Sequence, residues 1–296
     1  MAFNRNKLKG TGVAIVTPFH KDGSIDFRSL GKVIEHIIKG NCEYIVTLGT
    51  TGESVTLTKD EKAAVVNYTI QEVDGRVPII LGLGSNNTQD VINCIKEHDL
   101  DGISAILSVS PYYNKPNQRG LYQHYKMIAE ASSLPIIIYN VPGRTSANIT
   151  AETTLKLAYD FKNIIAIKEA SGNMEQAMKI IKNKPKDFIV LSGDDALTLP
   201  ILACGGDGVI SVVANAYPKD FSEMVRQALA GNFSHAQKLH YKVIDIIEQM
   251  FADGNPAGVK QFLELMKLCN AHVRLPLVKV NNKTQKRIVE LYNANK

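Results

Sequence analysis

Eight short runs of apolar, β-branched residues recur along the first two-thirds of the chain, and their starts lie about 20 to 33 residues apart. That spacing is the length of one strand–helix unit. The runs are nearly continuous in apolar residues, as in strands that are buried on both faces of a parallel sheet. They are Val13–Val16, Tyr44–Leu48, Val77–Leu83, Ile103–Val109, Pro135–Val141, Ile164–Ile167, Phe188–Leu191 and Val209–Val213. Eight such units predict an α/β fold, a (β/α)₈ TIM barrel, with an open doubly wound sheet as the alternative, because periodicity does not reveal closure.

The segments between and after these runs carry helix start signals. The tetrapeptide Thr58–Glu61 has the pattern of a capping box. From Pro218 onward the strand signals stop, and Ser234–Gln237 predicts another capping box ahead of an apolar stripe at helical spacing. The sequence therefore predicts a catalytic barrel in residues 1–225 and a C-terminal helical region in residues 226–296 that packs on the barrel.

Composition and charge exclude several classes of function. The chain is 45% hydrophobic and 21% charged, which is typical of a folded globular protein and not of a disordered one. Its net charge of +5 is spread along the chain, without the basic stripe that is typical of nucleic-acid binding. No apolar run is long enough to span a membrane, and the start Met1–Lys7 lacks the apolar core of a secretory signal. We therefore expect a cytoplasmic protein that binds neither nucleic acid nor membrane.

The cysteines and histidines indicate no metal site and no disulfide framework. The cysteines Cys42, Cys94, Cys204 and Cys269 lie far apart in the sequence, without a Cys-x-x-Cys pair. The seven histidines include no His-Glu-x-x-His motif. We expect free thiols and a site that works without metal.

Lys168 is the most unusual residue at a strand end, which is where barrels of this kind hold their active sites. It directly extends the apolar run Ile164–Ile167. Burial there favours the neutral amine, and a neutral amine can attack a ketone or aldehyde to form a Schiff base. The position alone leaves another interpretation open, a structural lysine that pairs with Glu169 or extends to the rim of the barrel.

Other polar groups follow neighbouring strands. Tyr139 ends the fifth run, and a phenol in the barrel mouth can move protons if Thr51 and Tyr113 supply further links. Arg144 lies on a Pro/Gly turn that suits bidentate binding of a carboxylate. The loop Gly49–Glu53 can present backbone N–H groups to a carboxylate. Taken singly, each signal also fits an ordinary surface residue or turn.

Three motifs stand in the order and spacing of a known family: Gly49–Glu53, Tyr139–Thr145 and Ile167–Gly172. On these motifs the chain resembles, over essentially its whole length, the dihydrodipicolinate synthase / N-acetylneuraminate lyase family of class I aldolases on a (β/α)₈ barrel. The resemblance implies a lyase that condenses pyruvate with L-aspartate-4-semialdehyde to 4-hydroxy-tetrahydrodipicolinate, on the route to diaminopimelate and lysine. It implies no metal and no dissociable cofactor, because the lysine itself serves as the electron sink.

The resemblance also implies a role for each matching residue. Lys168 forms the Schiff base with pyruvate, while Thr51, Tyr139 and Tyr113 form a proton relay. In that relay Tyr113 reaches in from a neighbouring subunit of a homo-oligomer, with a tetramer built as a dimer of dimers expected. The implied substrate-binding groups are Thr50 for the pyruvate carboxylate, Arg144 for the semialdehyde carboxylate, and the backbone carbonyls of Gly193 and Ile210.

Two other functions remain alternatives. N-acetylneuraminate lyase or another pyruvate-dependent sugar-acid aldolase is the first, but members of that branch typically lack the turn that carries Arg144 and Thr145. A barrel that binds a keto acid without catalysis is the second. The turn therefore favours the synthase branch.

Family members are often inhibited by lysine at a cleft between subunits. The matching positions are Ser54, Val55, Lys59, Lys62, Asn86, Asp90 and Tyr112. Inhibited members generally carry histidines where Lys59 and Lys62 stand and a glutamate where Asp90 stands. Because two cations repel the ammonium group of a lysine ligand, we predict weak or absent inhibition. A second difference, Ala257-Gly258 where relatives usually have Ile-Pro, bears on the packing of the tail and on the tetramer.

Overall fold

The computed structural model describes residues 4–97 and 99–295, so the predictions made for Met1–Phe3 and for Lys296 lie outside the described residues. Within these ranges eight parallel strands close into a barrel in which each strand pairs with the next and the last pairs with the first. The predicted barrel is confirmed. Its strands are β1 (Gly10–Ala14), β2 (Tyr44–Thr47), β3 (Ile79–Gly82), β4 (Ala105–Val109), β5 (Ile136–Asn140), β6 (Ile164–Glu169), β7 (Ile189–Ser192) and β8 (Gly208–Ser211).

Helices surround the barrel and form the C-terminal tail. Those of the barrel are α1 (Phe27–Lys39), α2 (Lys59–Val73), α3 (Thr88–Glu97), α4 (Gln118–Ala131), α5 (Pro142–Thr145), α6 (Ala151–Asp160), α7 (Met174–Asn183), α8 (Thr198–Ala203) and α9 (Pro218–Leu229). The tail consists of α10 (Phe233–Phe251), α11 (Ala257–Leu265) and α12 (Asn282–Ala294). No helix in the described ranges is both long enough and apolar enough to cross a membrane.

Of the eight strands, the first differs most in its bounds from the apolar run that predicted it. The run Val13–Val16 predicted its position, but β1 starts at Gly10 and ends at Ala14. A Cβ atom at Gly12 would lie 2.0 Å from the Tyr44 ring, so only a glycine lets this phenol fill the bottom of the barrel. The strand is therefore built partly from residues without apolar side chains, which a search for apolar runs overlooks.

The two predicted capping boxes have different outcomes. In the first, the Thr58 hydroxyl accepts from the Glu61 N–H, and the Glu61 carboxylate accepts from the Thr58 N–H. The second prediction was wrong, because α10 begins at Phe233 and Ser234 lies inside its first turn. Its cap position is Asn232, whose side-chain amide donates instead to Gln227 in the preceding turn.

The tail packs closely on itself and against the barrel. A Cβ atom at Gly258 would lie 2.4 Å from the Met250 carbonyl oxygen, so the glycine permits α11 to approach the end of α10.

The predicted division between residues 225 and 226 stays a prediction, and α9 runs across that position. The cysteines are free, and Cys42 and Cys269 are buried.

Side chains on the strands alternate between the barrel interior and the surrounding helices. On β5, Tyr139 belongs to the interior cluster, whereas Ile138 packs outward against helices. On β6, Ala166 lies in the interior and Ile167 outside. Lys168, two residues after Ala166, therefore points into the barrel, and the next residue points away from it.

Candidate active site

A cavity of about 350 Å³ opens at the carboxyl ends of the strands. It brings together six of the predicted site residues: Thr50, Thr51, Tyr139, Arg144, Lys168 and Gly193. Other residues that line it are Asp194, Val212, Phe251 and Asn255. The cavity thus lies where the barrel fold predicts an active site, and residues of the tail complete its wall.

Lys168 and Tyr139 form the centre of the cavity. They are register partners on adjacent strands, β6 and β5. Lys168 is buried, and its Nζ lies 4.3 Å from the centroid of the Tyr139 ring. Gly193 lies on the loop after β7, and a Cβ atom there would lie 3.1 Å from Lys168 Cε. The glycine therefore leaves room for the lysine side chain. The buried amine is therefore held beside a phenol.

The pairing of Lys168 with Glu169, one of the interpretations that the sequence left open, is wrong. Glu169 points away from the barrel axis, and its carboxylate accepts from the Ser171 N–H at 2.7 Å and from Gln176 Nε2 at 2.9 Å. Asn140 Nδ2 donates to the same carboxylate at 3.1 Å. Because Glu169 is satisfied on the helix side of the sheet, the amine of Lys168 is left to the cavity.

The loop after β2 presents its two threonines to the cavity. Thr50–Gly52 form one 3-10 turn, after which Glu53 takes a left-handed conformation with φ of 52°. Thr51 is buried, and its Oγ1 accepts from Asn255 Nδ2 at 2.9 Å. Thr17 holds the loop from the barrel side by donating to the Gly52 carbonyl at 2.7 Å.

Glu53, at the end of this loop, is anchored by the tail. Its Oε1 lies 2.5 Å from Lys260 Nζ, and both side chains are shielded from solvent. Its Oε2 accepts from the Arg274 backbone N–H at 2.9 Å. Burial lowers the pKa of Lys260, against the opposing effect of the Glu53 charge, and Lys260 also donates to the His272 carbonyl at 2.8 Å. The tail therefore fixes the position of the threonine loop.

Arg144 stands on α5, at the outer side of the cavity. The Thr145 hydroxyl donates to the Ala147 carbonyl at 2.9 Å, with the Val141 carbonyl as a second acceptor within reach at 3.2 Å, which holds this single helical turn in shape. Arg144 is exposed, and its guanidinium forms no hydrogen bond or ion pair with any residue in 4–97 or 99–295. It is thus free to bind the carboxylate of a ligand.

The loops after β7 and β8 close the remaining wall. The buried Asp195 carboxylate accepts from the N–H groups of Val212 and Val213, at 3.0 and 2.8 Å. Burial raises the pKa of Asp195 to about 6, against the effect of these hydrogen bonds. Ile210 lies deeper in the barrel interior and is not among the residues that line the cavity; Val212 takes that place.

Tyr113 lies away from the cavity of its own chain. It is 88% exposed, with a left-handed φ of 72°. It lines a separate, open surface cavity of about 810 Å³ between the N-terminal ends of α3 and α4, together with Asn86, Thr88 and His124. A single chain therefore does not bring Tyr113 to Lys168.

The residues predicted for the lysine cleft lie on the loops and helices that follow β2, β3 and β4. Burial is the main cause of a raised pKa at the Cys94 thiol on α3, which also feels the charges of Lys62, Glu97, Lys59 and Asp90. Lys59 Nζ pairs with Glu97 at 2.9 Å. Val55 is 83% exposed, and Ser54, Asn86 and Tyr112 lie on the same loops.

No group of three or more histidine, cysteine or acidic side chains is arranged to hold a metal ion within the described ranges. The nucleophile, the hydroxyl groups and the arginine of the cavity all come from the chain itself. The expectation of metal-free catalysis stays a prediction.

Sequence reasoning missed two tail residues that bear on the site. The sequence motifs assign Asn255 no role, and Lys260 resembles any lysine on an exposed helix. Both lie more than 200 positions from the loop that they contact, at separations of 204 and 207 residues. No local pattern in the sequence signals contacts at such a distance.

Fold and site together place a buried lysine amine in the mouth of a (β/α)₈ barrel, an arrangement that suits a Schiff-base-forming lyase. A model of the dihydrodipicolinate synthetase family matches residues 7–295. The chain belongs to this family, as its sequence motifs predict.

Individual relatives agree along nearly the whole chain. A 4-hydroxy-tetrahydrodipicolinate synthase of Flavobacterium psychrophilum is 53% identical over 279 residues, which cover 94% of this chain and 95% of that protein. Another of Parabacteroides distasonis is 50% identical over 284 residues, or 96% of each. A solved chloride-inhibited dihydrodipicolinate synthase from Acinetobacter baumannii, complexed with pyruvate, has a TM-score of 0.94 at 40% identity, over 97% of this chain and 99% of that one.

Proposed function

We propose that this chain condenses pyruvate with L-aspartate-4-semialdehyde through a Schiff base on Lys168. The enzyme class, a lyase, and the overall activity, formation of 4-hydroxy-tetrahydrodipicolinate, are confirmed by relatives that share about half of its residues over nearly its full length. The substrates and the roles of single residues are the proposal. The observation that carries it is the buried Lys168 amine, which lies beside the Tyr139 ring and has no carboxylate partner within residues 4–97 and 99–295.

The chemistry begins with attack of the Lys168 amine on the C2 carbonyl of pyruvate. Water leaves, and the iminium withdraws electrons, so a proton can leave C3 to give an enamine. Thr50 and the loop backbone hold the pyruvate carboxylate. The enamine then attacks the aldehyde of the second substrate, whose carboxylate Arg144 binds. The amine of that substrate attacks the iminium, closes the ring and releases Lys168.

Proton transfers require a relay, which we assign to Tyr139, Thr51 and Tyr113. Tyr139 adjoins Lys168, and Thr51 lines the same cavity. Tyr113 is exposed on its own chain, which supports its supply in trans by a neighbouring subunit. We therefore also propose a homo-oligomer, a tetramer arranged as a dimer of dimers, in which one interface completes the site.

The alternative of a sugar-acid aldolase differs in the second substrate. Arg144, a free guanidinium at the rim of the cavity, favours an acceptor that ends in a carboxylate. A barrel that binds a keto acid without catalysis does not need a Schiff base, whereas the proposed reaction requires one.

Borohydride reduction in the presence of pyruvate, followed by mass spectrometry, tests the central step. A three-carbon adduct is expected on Lys168, and the variant Lys168→Met should give none. A coupled assay with aspartate semialdehyde and the reductase that consumes the product tests the acceptor. Turnover of a sialic acid without turnover of the semialdehyde would establish the sugar-acid aldolase instead.

A further inference from the structure

Asn255 belongs to the tail, but its side chain faces the cavity of the barrel. It is buried, lies between α10 and α11, and lines the same cavity as Lys168. Its Nδ2 donates to Thr51 Oγ1 at 2.9 Å. Its Oδ1 is buried and has no hydrogen-bond partner in residues 4–97 and 99–295.

The direction of this hydrogen bond controls what the Thr51 hydroxyl can do. A hydroxyl group has one hydrogen to donate and two lone pairs that accept. When the Asn255 amide donates to Thr51, the hydrogen of Thr51 points to another acceptor. The reversed amide would place Oδ1 against Thr51 and would capture that hydrogen.

The surroundings hold the amide and the threonine loop at a fixed separation. α11 begins at Ala257, two residues after Asn255, and its Lys260 pairs with Glu53 on the same loop as Thr51. The loop and the tail are thus joined at two points. A polar contact in such a place is held in one geometry, because both of its ends are buried.

We propose that Asn255 is a positioning residue, which fixes the Thr51 hydroxyl as a donor toward Tyr139. This inference rests on the proposed function, because it requires the relay of Thr51 and Tyr139 to act on a pyruvate Schiff base at Lys168. Asn255 does not take up the proton itself. It acts through Thr51, whose orientation its amide sets.

The deciding variant is Asn255→Asp, which has nearly the same shape but replaces the amide donor with a carboxylate acceptor. The carboxylate captures the Thr51 hydrogen, so we expect kcat to fall about 100-fold. Asn255→Ala leaves the hydroxyl free to rotate and should lower kcat about tenfold. In both variants KM for pyruvate should change less than about twofold. The deficit of Asn255→Asp should shrink as the pH falls, because a protonated carboxyl group donates again.

Thr51→Val supplies the control, since it removes the hydroxyl through which Asn255 acts. In the Thr51→Val background, Asn255→Asp should cause little additional loss of kcat. An equal loss in both backgrounds would show an effect of charge or folding and would overturn the proposal. Unchanged kcat in Asn255→Asp, or in Asn255→Ala if the first variant does not fold, would overturn it as well.

Borohydride trapping separates this inference from the proposed function. If the unmodified chain forms no pyruvate adduct on Lys168, the proposed function fails. If the adduct forms and turnover proceeds at the normal rate without the Asn255 amide, only the positioning role of Asn255 fails.

Discussion

Lys260 in the tail and Glu53 in the loop after β2 form an ion pair that is closed to solvent, with 2.5 Å between Nζ and Oε1. Phe19 covers the pair, since Lys260 Nζ lies 4.3 Å from the centroid of its ring. The same loop carries the threonines of the cavity. The C-terminal helices are therefore part of the active-site support as well as a cover for the barrel.

Removal of one partner of this pair should be costly. In Lys260→Met the buried Glu53 carboxylate loses its counter-charge, and we expect the free energy of unfolding to fall by about 3–5 kcal/mol. Denaturant unfolding followed by circular dichroism measures this. The control Lys260→Met/Glu53→Gln removes both charges and should recover much of the loss; a single variant as stable as the unmodified chain would contradict the prediction.

Gly193→Ala should obstruct Lys168. The new Cβ would lie 2.6 Å from the Ala170 Cβ and 3.1 Å from Lys168 Cε. We expect slower borohydride trapping of pyruvate and a loss of stability of about 1–3 kcal/mol. Gly193→Ala/Ala170→Gly relieves only the first contact, so it should restore stability more than trapping. Normal trapping by Gly193→Ala would show that the lysine does not need this space.

Glu61 links α2 to the tail, because Arg274 donates to both of its carboxylate oxygens. The hydrogen bonds from Arg274 are the largest cause that lowers the pKa of Glu61, from 4.5 to about 2. A carboxyl group with a lowered pKa in the folded state stabilises that state above pH 4.5, and this contribution is lost as the pH falls toward about 2.

Glu61→Gln should therefore be less stable than the unmodified chain at neutral pH, by roughly 1 kcal/mol because solvent screens this partly exposed pair. The difference should close as the pH falls through that window, as measured by unfolding at a series of pH values. Glu290→Gln breaks an exposed ion pair with Arg287 and should change stability little. A difference for Glu61→Gln that does not vary with pH would contradict the assignment.

Free lysine should inhibit the enzyme weakly or not at all. Lys59 and Lys62 both lie on α2, and although Lys59 pairs with Glu97, cations in these two positions repel the ammonium group of the ligand. The triple variant Lys59→His/Lys62→His/Asp90→Glu should gain inhibition in a steady-state titration, with D-lysine as the control ligand. Strong inhibition of the unmodified chain at sub-millimolar lysine would prove this prediction wrong.

Tyr113 should act in trans. Tyr113→Phe and Lys168→Met are each expected to lose most activity. A mixture whose subunits have exchanged should regain part of it, because one chain then supplies Lys168 and the other Tyr113. Native mass spectrometry with one variant isotopically labelled confirms the exchange. A mixture that stays as inactive as its components would argue against a site shared between subunits.

The sequence by itself determined the architecture and predicted that Lys168 enters the barrel interior. Eight apolar runs at the spacing of one strand–helix unit predicted the barrel, because burial on both faces requires continuous apolar strands. The same rule made Lys168 conspicuous, since a lysine that extends such a strand enters the interior. The capping box at Thr58–Glu61 was equally readable, because its hydrogen bonds span only three residues.

Only the tertiary structure decided which partners these residues have. Lys168 and Glu169 face opposite sides of the sheet because side chains alternate along a strand, and only the closed barrel shows that Lys168 is the one inside. The bounds of β1 depend on Gly12 making room for Tyr44 from the next strand. The contacts of Asn255 with Thr51 and of Lys260 with Glu53 join segments more than 200 residues apart, and they exist because the folded tail returns to the mouth of the barrel. Local patterns record the preferences of neighbouring residues, whereas such contacts form only once the whole chain has folded.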